Sequence, residues 1–282
     1  MLKSLSFIYH RFYRRWLYLL LSVLVAVGIG VGSPQRTQAI SLFDILIRGV
    51  QILQLSNISA QEEVQLGKEI NQQLVNSEIQ LYRNQNVNRY VNQIGQKLAA
   101  NSTRPDIPYT FQVVQDESVN AFATMGGYVY VTTGLLKAAD NEAQLASVIA
   151  HEIGHIASRH SIEQMRQRAI ARGVATAAGL ERSTAVQIGV DLALRRPNSR
   201  QDEFEADQKG LRTLGRAGYA QSAMIAFMQK LLQQRSLPSF LSTHPATSDR
   251  ITALKSEIDS QKTYGGGGLN NAVYEAKIQP LS

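Results

Sequence analysis

His151, Glu152 and His155 are spaced as His-Glu-x-x-His inside an apolar-periodic run from Gln144 to Ala157. A helix turns about 100° per residue, so residues four apart lie on nearly the same face. Two imidazoles can therefore meet at one metal ion, with Glu152 beside them facing the same cleft. A catalytic zinc needs that arrangement: protein ligands, a position left for water, and a carboxylate that takes the water's proton. A pattern this short also arises by chance at a solvated helix end, so the remaining parts have to come from elsewhere in the chain.

Two histidines leave such a zinc one protein ligand short. Downstream lies Asp202-Glu203-Phe204-Glu205-Ala206-Asp207. On a helix Glu203 and Asp207 share a face, while Glu205 points away. Glu203 is the candidate third ligand. Asp207 is placed to accept a hydrogen bond from the outer nitrogen of a ligand histidine and so fix its tautomer. Read alone, the same run is an acidic helix start of the kind the helix dipole favours; the upstream histidines give it the ligand reading. His160 falls about 140° round the helix from His155. It is expected to stay clear of the metal and is given no role.

These side chains need elements to hold them. Ser59-Ala60-Gln61-Glu62 reads as a capping box opening a helix to about Glu78, and a second helix spans about Val87 to Ala99. Pro105 and Pro108 break the chain. Tyr109 to Val114 and Tyr128 to Thr132 alternate as strands. Ser118 to Ala123 is the expected middle strand, with Gly126-Gly127 as the turn. Helices follow at Thr133 to Ala138 and Glu142 to His160. Ser161 to Arg196 is helical in tendency but interrupted by Gly173, Gly179 and Gly189, and is expected to be mobile or lid-like. Helices at Gln201 to Leu214, Gln221 to Gln234 and Ser248 to Ile258 complete the body, with a loop from Leu237 to Ala246. The fold class is α+β: mostly helical, with one small antiparallel sheet beside the zinc helix. The edge around Gly127, Tyr128 and Val129, with Asn120 and Ala121 alongside, can pair with an extended substrate backbone. It can equally be an edge covered by the domain's own loops.

The formal net charge is +7, but five of the 29 basic residues and no acidic residue fall within residues 1–39. The basic character belongs to that segment, and no phosphate-binding patch for nucleic acid is evident. Trp16 to Gly32 is an uncharged apolar run, followed by small residues at Thr37 and Ala39. Residues 1–39 read as a signal peptide or an uncleaved signal anchor, with the body exported across the membrane. Residues 40–59 form an apolar linker, expected as a helix packed on the domain or lying on the membrane surface. Residues 60–260 form the enzymatic domain, and residues 261–282 a Gly-rich hinge and tail. There is no cysteine, which removes disulfides, thiolate metal sites and a cysteine nucleophile together.

The paired signals His151-Glu152-Ile153-Gly154-His155 and Glu203-Phe204-Glu205-Ala206-Asp207 resemble the zinc metallopeptidase family M48, which includes the CAAX prenyl endopeptidases. Val119 to Ala123 and Gly126 to Val131 resemble that family's sheet, and Ser242-Thr243-His244-Pro245 with Arg250-Ile251 its C-terminal signature. The resemblance covers about Gln61 to Ile258. The family often has proline where this chain has Met125. The chain also lacks the multi-span membrane body of the prenyl endopeptidases and a helical repeat domain, so it looks like a short, secreted or singly anchored member.

The resemblance implies a zincin-like fold and one Zn2+ per chain, held by His151, His155 and Glu203. It implies protein or peptide substrates that are misfolded or membrane-associated, handled in the periplasm or at the membrane's outer side. Zinc-bound water would be activated by Glu152. It also implies that His244 can approach the zinc as a fourth ligand, a self-inhibited state, and that Arg250 helps to bind an oxyanion or to hold that loop. A latent protease acting mainly as a holdase or assembly factor is the other expectation.

Overall fold

The computed structural model describes residues 52–281 apart from 56, 175–178, 196–197, 235–237, 246–247 and 262–264. The signal segment of residues 1–39 and the linker up to residue 51 lie outside the described residues. Ile52–Leu53 (β1) is a strand, not the end of a linker helix, and pairs antiparallel with Leu180–Glu181 (β5).

Ala60–Ser77 (α1) opens on the expected capping box: Ser59 accepts from the Glu62 N–H, and the Glu62 carboxylate accepts from the Ser59 N–H. Gln85–Ala100 (α2) is capped by Asn84 and buries Val87, Val91, Ile94 and Leu98, a helical stripe. Three strands follow: Thr110–Val114 (β2), Ala121–Thr124 (β3) and Tyr128–Thr132 (β4). Between β3 and β4 a 3-10 turn, Met125–Gly127, places Gly126 at φ 76° and packs against α1 at Gly67.

The sheet order is β2-β4-β3. The β3–β4 pair is antiparallel as expected, but β2 runs parallel to β4, so the sheet is mixed. The middle strand is β4, not the Ser118 to Ala123 stretch. This corrects the substrate-edge reading of Gly127, Tyr128 and Val129. Tyr128 and Val129 are already paired on both sides, with Thr110 and Phe111 of β2 and with Thr124 and Ala123 of β3. The edge is β3, which contains Ala121 and follows Asn120.

Alternation along β4 divides the interior in two. Val129 and Val131 join the larger core with α2, while Tyr130 stacks on Phe122 at 4.5 Å in a second core with α1. Thr133–Ala138 (α3) leads into Glu142–Ala157 (α4), the buried helix carrying His151 and His155. The expected continuation to His160 fails: Arg159 adopts φ 60°, the one positive-φ non-glycine among the described residues. A new helix, His160–Ala171 (α5), starts there. With Arg182–Arg195 (α6) it gives the described part of the Ser161 to Arg196 stretch two helices, built into the second core through Met165, Ile188 and Leu192.

Arg200–Arg216 (α7) is opened by Ser199 and Asp202 as a second capping box. Ser222–Leu232 (α8), a short Ser239–Thr243 (α9) inside the expected loop, and Ser248–Gln261 (α10) follow. Gly267 and Gly268 are not a free hinge: the Ala220 N–H donates to the Gly267 carbonyl and the Ala143 N–H to that of Gly268. The tail helix Asn271–Ile278 (α11) is held by the Tyr274 hydroxyl, which donates to the Leu136 carbonyl. Among the described residues no helix is long and apolar enough to cross a membrane.

Candidate metal centre

Two glycines bring α4 and α7 into backbone contact. A Cβ on Gly154 would lie 2.5 Å from the Ala206 carbonyl oxygen, and one on Gly210 would lie 3.0 Å from the Ala150 backbone. Only at that spacing can the short side chains of α7 reach the imidazoles of α4. Asn141 caps α4 by accepting from the Gln144 N–H, and the helix is buried from Ala143 through Ile156.

His151, His155, Glu203 and His244 converge, one ligand atom from each lying within 4.8 Å of the others. Their contacts close a ring. His155 Nε2 is 3.1 Å from His151 Nε2, which is 3.2 Å from His244 Nδ1. That atom is 3.0 Å from Glu203 Oε1, and Glu203 Oε1 is 3.2 Å from His155 Nε2. Metal–nitrogen bonds of about 2.0–2.1 Å in a tetrahedron separate the ligands by about 3.3 Å. The ring therefore has the size of a tetrahedral metal's ligand shell. Its nitrogens also face one another, and two imidazole lone pairs at such distances need a proton or a cation between them. The donor set fits one metal ion.

The charged side chains around the ring are buried. The Asp207 carboxylate lies 3.0 Å from His151 Nδ1 and accepts from Arg250 Nε and Nη2, each at 2.7 Å. Arg250 also reaches Glu203 Oε2 at 2.5 Å and donates to the Pro245 carbonyl at 2.9 Å. Of the two roles expected for Arg250, these are the contacts of one that holds the His244 loop and the ligand carboxylate.

Burial is the largest influence on each titrating group. It raises the Glu152 carboxyl above its ordinary range. It would raise Glu203 and Asp207 too, but the histidines outweigh it at Glu203, and Arg250 with His151 outweighs it at Asp207, so both are held low. It takes His155 down to about 3, while at His151 Asp207 and Glu203 overcome it and lift the imidazole to about 10.

His244 lies at the end of α9, its ring stacked on Phe240 at 4.6 Å. Its Nδ1 sits in the ring of ligand atoms, 3.2 Å from the Asn198 amide nitrogen, and its Nε2 is 3.4 Å from Glu152 Oε1. One side chain thus occupies the fourth vertex and contacts the candidate base. Phe122, Ala123 and Thr124 of the edge strand line the same cleft, with Leu192 of α6 beside them. Asn120, just before that strand, has a buried side-chain oxygen without a hydrogen-bond partner.

His160 and Glu205 both stay outside the ring of ligand atoms, as their helical positions predict. What the sequence reading left out is a contact behind the ring: His160 Nδ1 is 2.8 Å from His155 Nδ1, and His160 Nε2 is 3.3 Å from Glu205 Oε2. Projection along an unbroken helix gives no such contact for His160, and Arg159, an ordinary residue in a left-handed conformation, gives no signal for the break.

Residues 85–258 match peptidase family M48. A putative beta-barrel assembly-enhancing protease of Vibrio cholerae is 35% identical over 184 residues, 59% of this chain and 38% of that one. The beta-barrel assembly-enhancing protease of Escherichia coli K12 is 30% identical over 224 residues, 73% of this chain and 46% of that one. The mitochondrial metalloendopeptidase OMA1 of Schizosaccharomyces pombe is 31% identical over 176 residues, 59% of this chain and 51% of that one. The chain spans 38% to 51% of the length of these relatives.

Proposed function

The chain belongs to peptidase family M48, and from that membership and the geometry of its metal centre we propose that it is a zinc metalloendopeptidase, cleaving misfolded or membrane-associated proteins outside the cytoplasm. The observation that carries the reading is the closed ring of His151, His155, Glu203 and His244 at tetrahedral spacing, with a buried Glu152 beside it. His151, His155 and Glu203 are the ligands. Zinc, when bound there, supplies Lewis acidity toward the scissile carbonyl and acidifies the attacking water.

Glu152 would take the proton from the attacking water and deliver it to the leaving amine nitrogen. Asp207 orients His151, and Arg250 holds Asp207, Glu203 and the Pro245 turn together. The edge strand β3 gives the substrate backbone a partner in the cleft, with Asn120 and Ala121 at its start. Export is supported by the basic-then-apolar order of residues 1–39, which places the body beyond the membrane.

One observation favours a second reading. His244 fills the fourth vertex and contacts Glu152, so in this arrangement neither the water site nor the base is free. The protein is then latent until the loop carrying His244 withdraws, and in the closed state it works mainly by holding substrates. Digestion of casein or an unfolded protein tests both readings. Chelator-sensitive cleavage that Glu152→Gln abolishes supports the peptidase; binding without cleavage in wild type and in His244→Ala alike supports the holdase.

A further inference from the structure

His155 needs a particular tautomer if it is to serve as a ligand. Its Nε2 faces the ring of ligand atoms, so the proton must reside on Nδ1 and be donated there. The competing tautomer carries its proton on Nε2, where Glu203 Oε1 at 3.2 Å would accept it and the lone pair would be lost to the metal. What lies at Nδ1 decides between them, and that is His160 Nδ1 at 2.8 Å. Two imidazole nitrogens at this distance share one proton, so the side that keeps it depends on the far nitrogen of His160.

That far nitrogen, His160 Nε2, is 3.3 Å from Glu205 Oε2 and 3.8 Å from Asp202 Oδ1. Both neighbours are carboxylates and accept only. The proton of a neutral His160 is therefore drawn to Nε2, its Nδ1 presents a lone pair, and His155 must donate from Nδ1. On its other oxygen Glu205 is paired with Lys209, whose ammonium is 2.8 Å from Oε1.

The backbone is bent to allow this. A continuous helix would carry His160 away from His155, whereas Arg159 at φ 60° turns it back. That conformation is held by the Arg159 guanidinium, which lies 3.1 Å from the buried Glu63 carboxylate and donates to the Ile58 carbonyl at 2.7 Å. His151, by contrast, has a direct carboxylate partner in Asp207 and needs no such relay.

We propose that His160 and Glu205 are positioning residues that select the ligating tautomer of His155, through a donor chain running from His155 Nδ1 to His160 and from His160 Nε2 to Glu205. The inference rests on the metal-centre reading above. It is tested by zinc titration of the full-length apo protein against a chromophoric chelator, for wild type, His160→Leu, His160→Asn and Glu205→Leu. Loss of an orienting partner lowers metal affinity about 10–100-fold, and that is expected for His160→Leu. His160→Asn, whose amide oxygen can take the place of Nδ1 as acceptor, is expected to restore affinity close to wild type. Glu205→Leu, at a half-exposed site, keeps the test decisive if His160→Leu does not fold; it should weaken zinc binding and shift the His155 Nδ1 nitrogen resonance away from the protonated position. Wild-type affinity in folded His160→Leu, or in Glu205→Leu with an unchanged His155 resonance, overturns the proposal. Absence of zinc binding by wild type overturns the metal-centre reading itself, which keeps the two failures distinct.

Discussion

Glu152 and His244 divide the chemistry between them at the level of single side chains. Glu152→Gln removes the proton acceptor and retains the shape of the site. Cleavage should fall by at least about 10²–10⁴-fold, the usual worth of general acid–base catalysis, while zinc content and melting temperature stay near wild type. Wild-type turnover in that variant would remove Glu152 from the mechanism. His244→Ala empties the fourth vertex and frees Glu152 Oε1. Basal cleavage should rise, provided that the zinc stoichiometry of the same preparation remains one; unchanged basal activity in a zinc-loaded variant would dispose of latency. Arg250 was legible from the sequence only as a candidate with two roles. Its bonds to Asp207, Glu203 and Pro245 are long-range contacts that spacing alone does not supply.

At the scale of elements, the site depends on how closely α4 and α7 approach. Gly154→Ala would press a methyl group into the Ala206 carbonyl, and overpacking of this kind costs about 1–3 kcal/mol. The larger consequence is displacement of Glu203 and Asp207 from the histidines, so zinc affinity should fall along with the melting temperature. A melt and a zinc titration of one preparation check both; loss of stability with intact affinity would mean that α7 reaches the centre without this contact.

A second tie joins α5 and α6, where Arg168, Arg172 and Arg195 share Asp191. Burial raises the Asp191 carboxyl, but Arg168 and then its two companions outweigh that and hold it below its ordinary value. A depressed folded-state pKa means stability that is present at neutral pH and lost as pH falls through that lowered value. The difference in melting temperature between wild type and Asp191→Asn should accordingly shrink in acid; a difference independent of pH would assign it to packing. The glycines at 173, 179 and 189 mark interruptions of this stretch in the sequence, but the pairing of its helices through one carboxylate could not be read there.

For the molecule as a whole, the metal is expected to act as a structural ligand as well as a reagent. The centre joins α4, α7 and the loop after α9, and it buries Glu203, Asp207 and Arg250 almost completely. A ligand that binds only the folded state at a thousand times its dissociation constant stabilises it by about 4 kcal/mol. For a domain of this size each kcal/mol is worth about 2–4 °C, so chelation should lower the melting temperature by about 10 °C. An unchanged melt after verified zinc removal would show that the ring holds itself together without a cation.

The sequence by itself determined the parts that depend on local periodicity. His151 and His155 share a face because a helix has 3.6 residues per turn, and Glu203 and Asp207 share one for the same reason. The cap residue at Ser59 and the alternation of Tyr128 to Thr132 were local signals too. Tertiary structure alone decided what lies between elements. It made β4 the central strand and β3 the edge, it turned His160 back onto His155 through one left-handed residue, and it packed the Gly267–Gly268 stretch against α4. Strand order, a single backbone inversion and docking of a tail arise from contacts between residues far apart in the chain, and these leave no period in the sequence to be read.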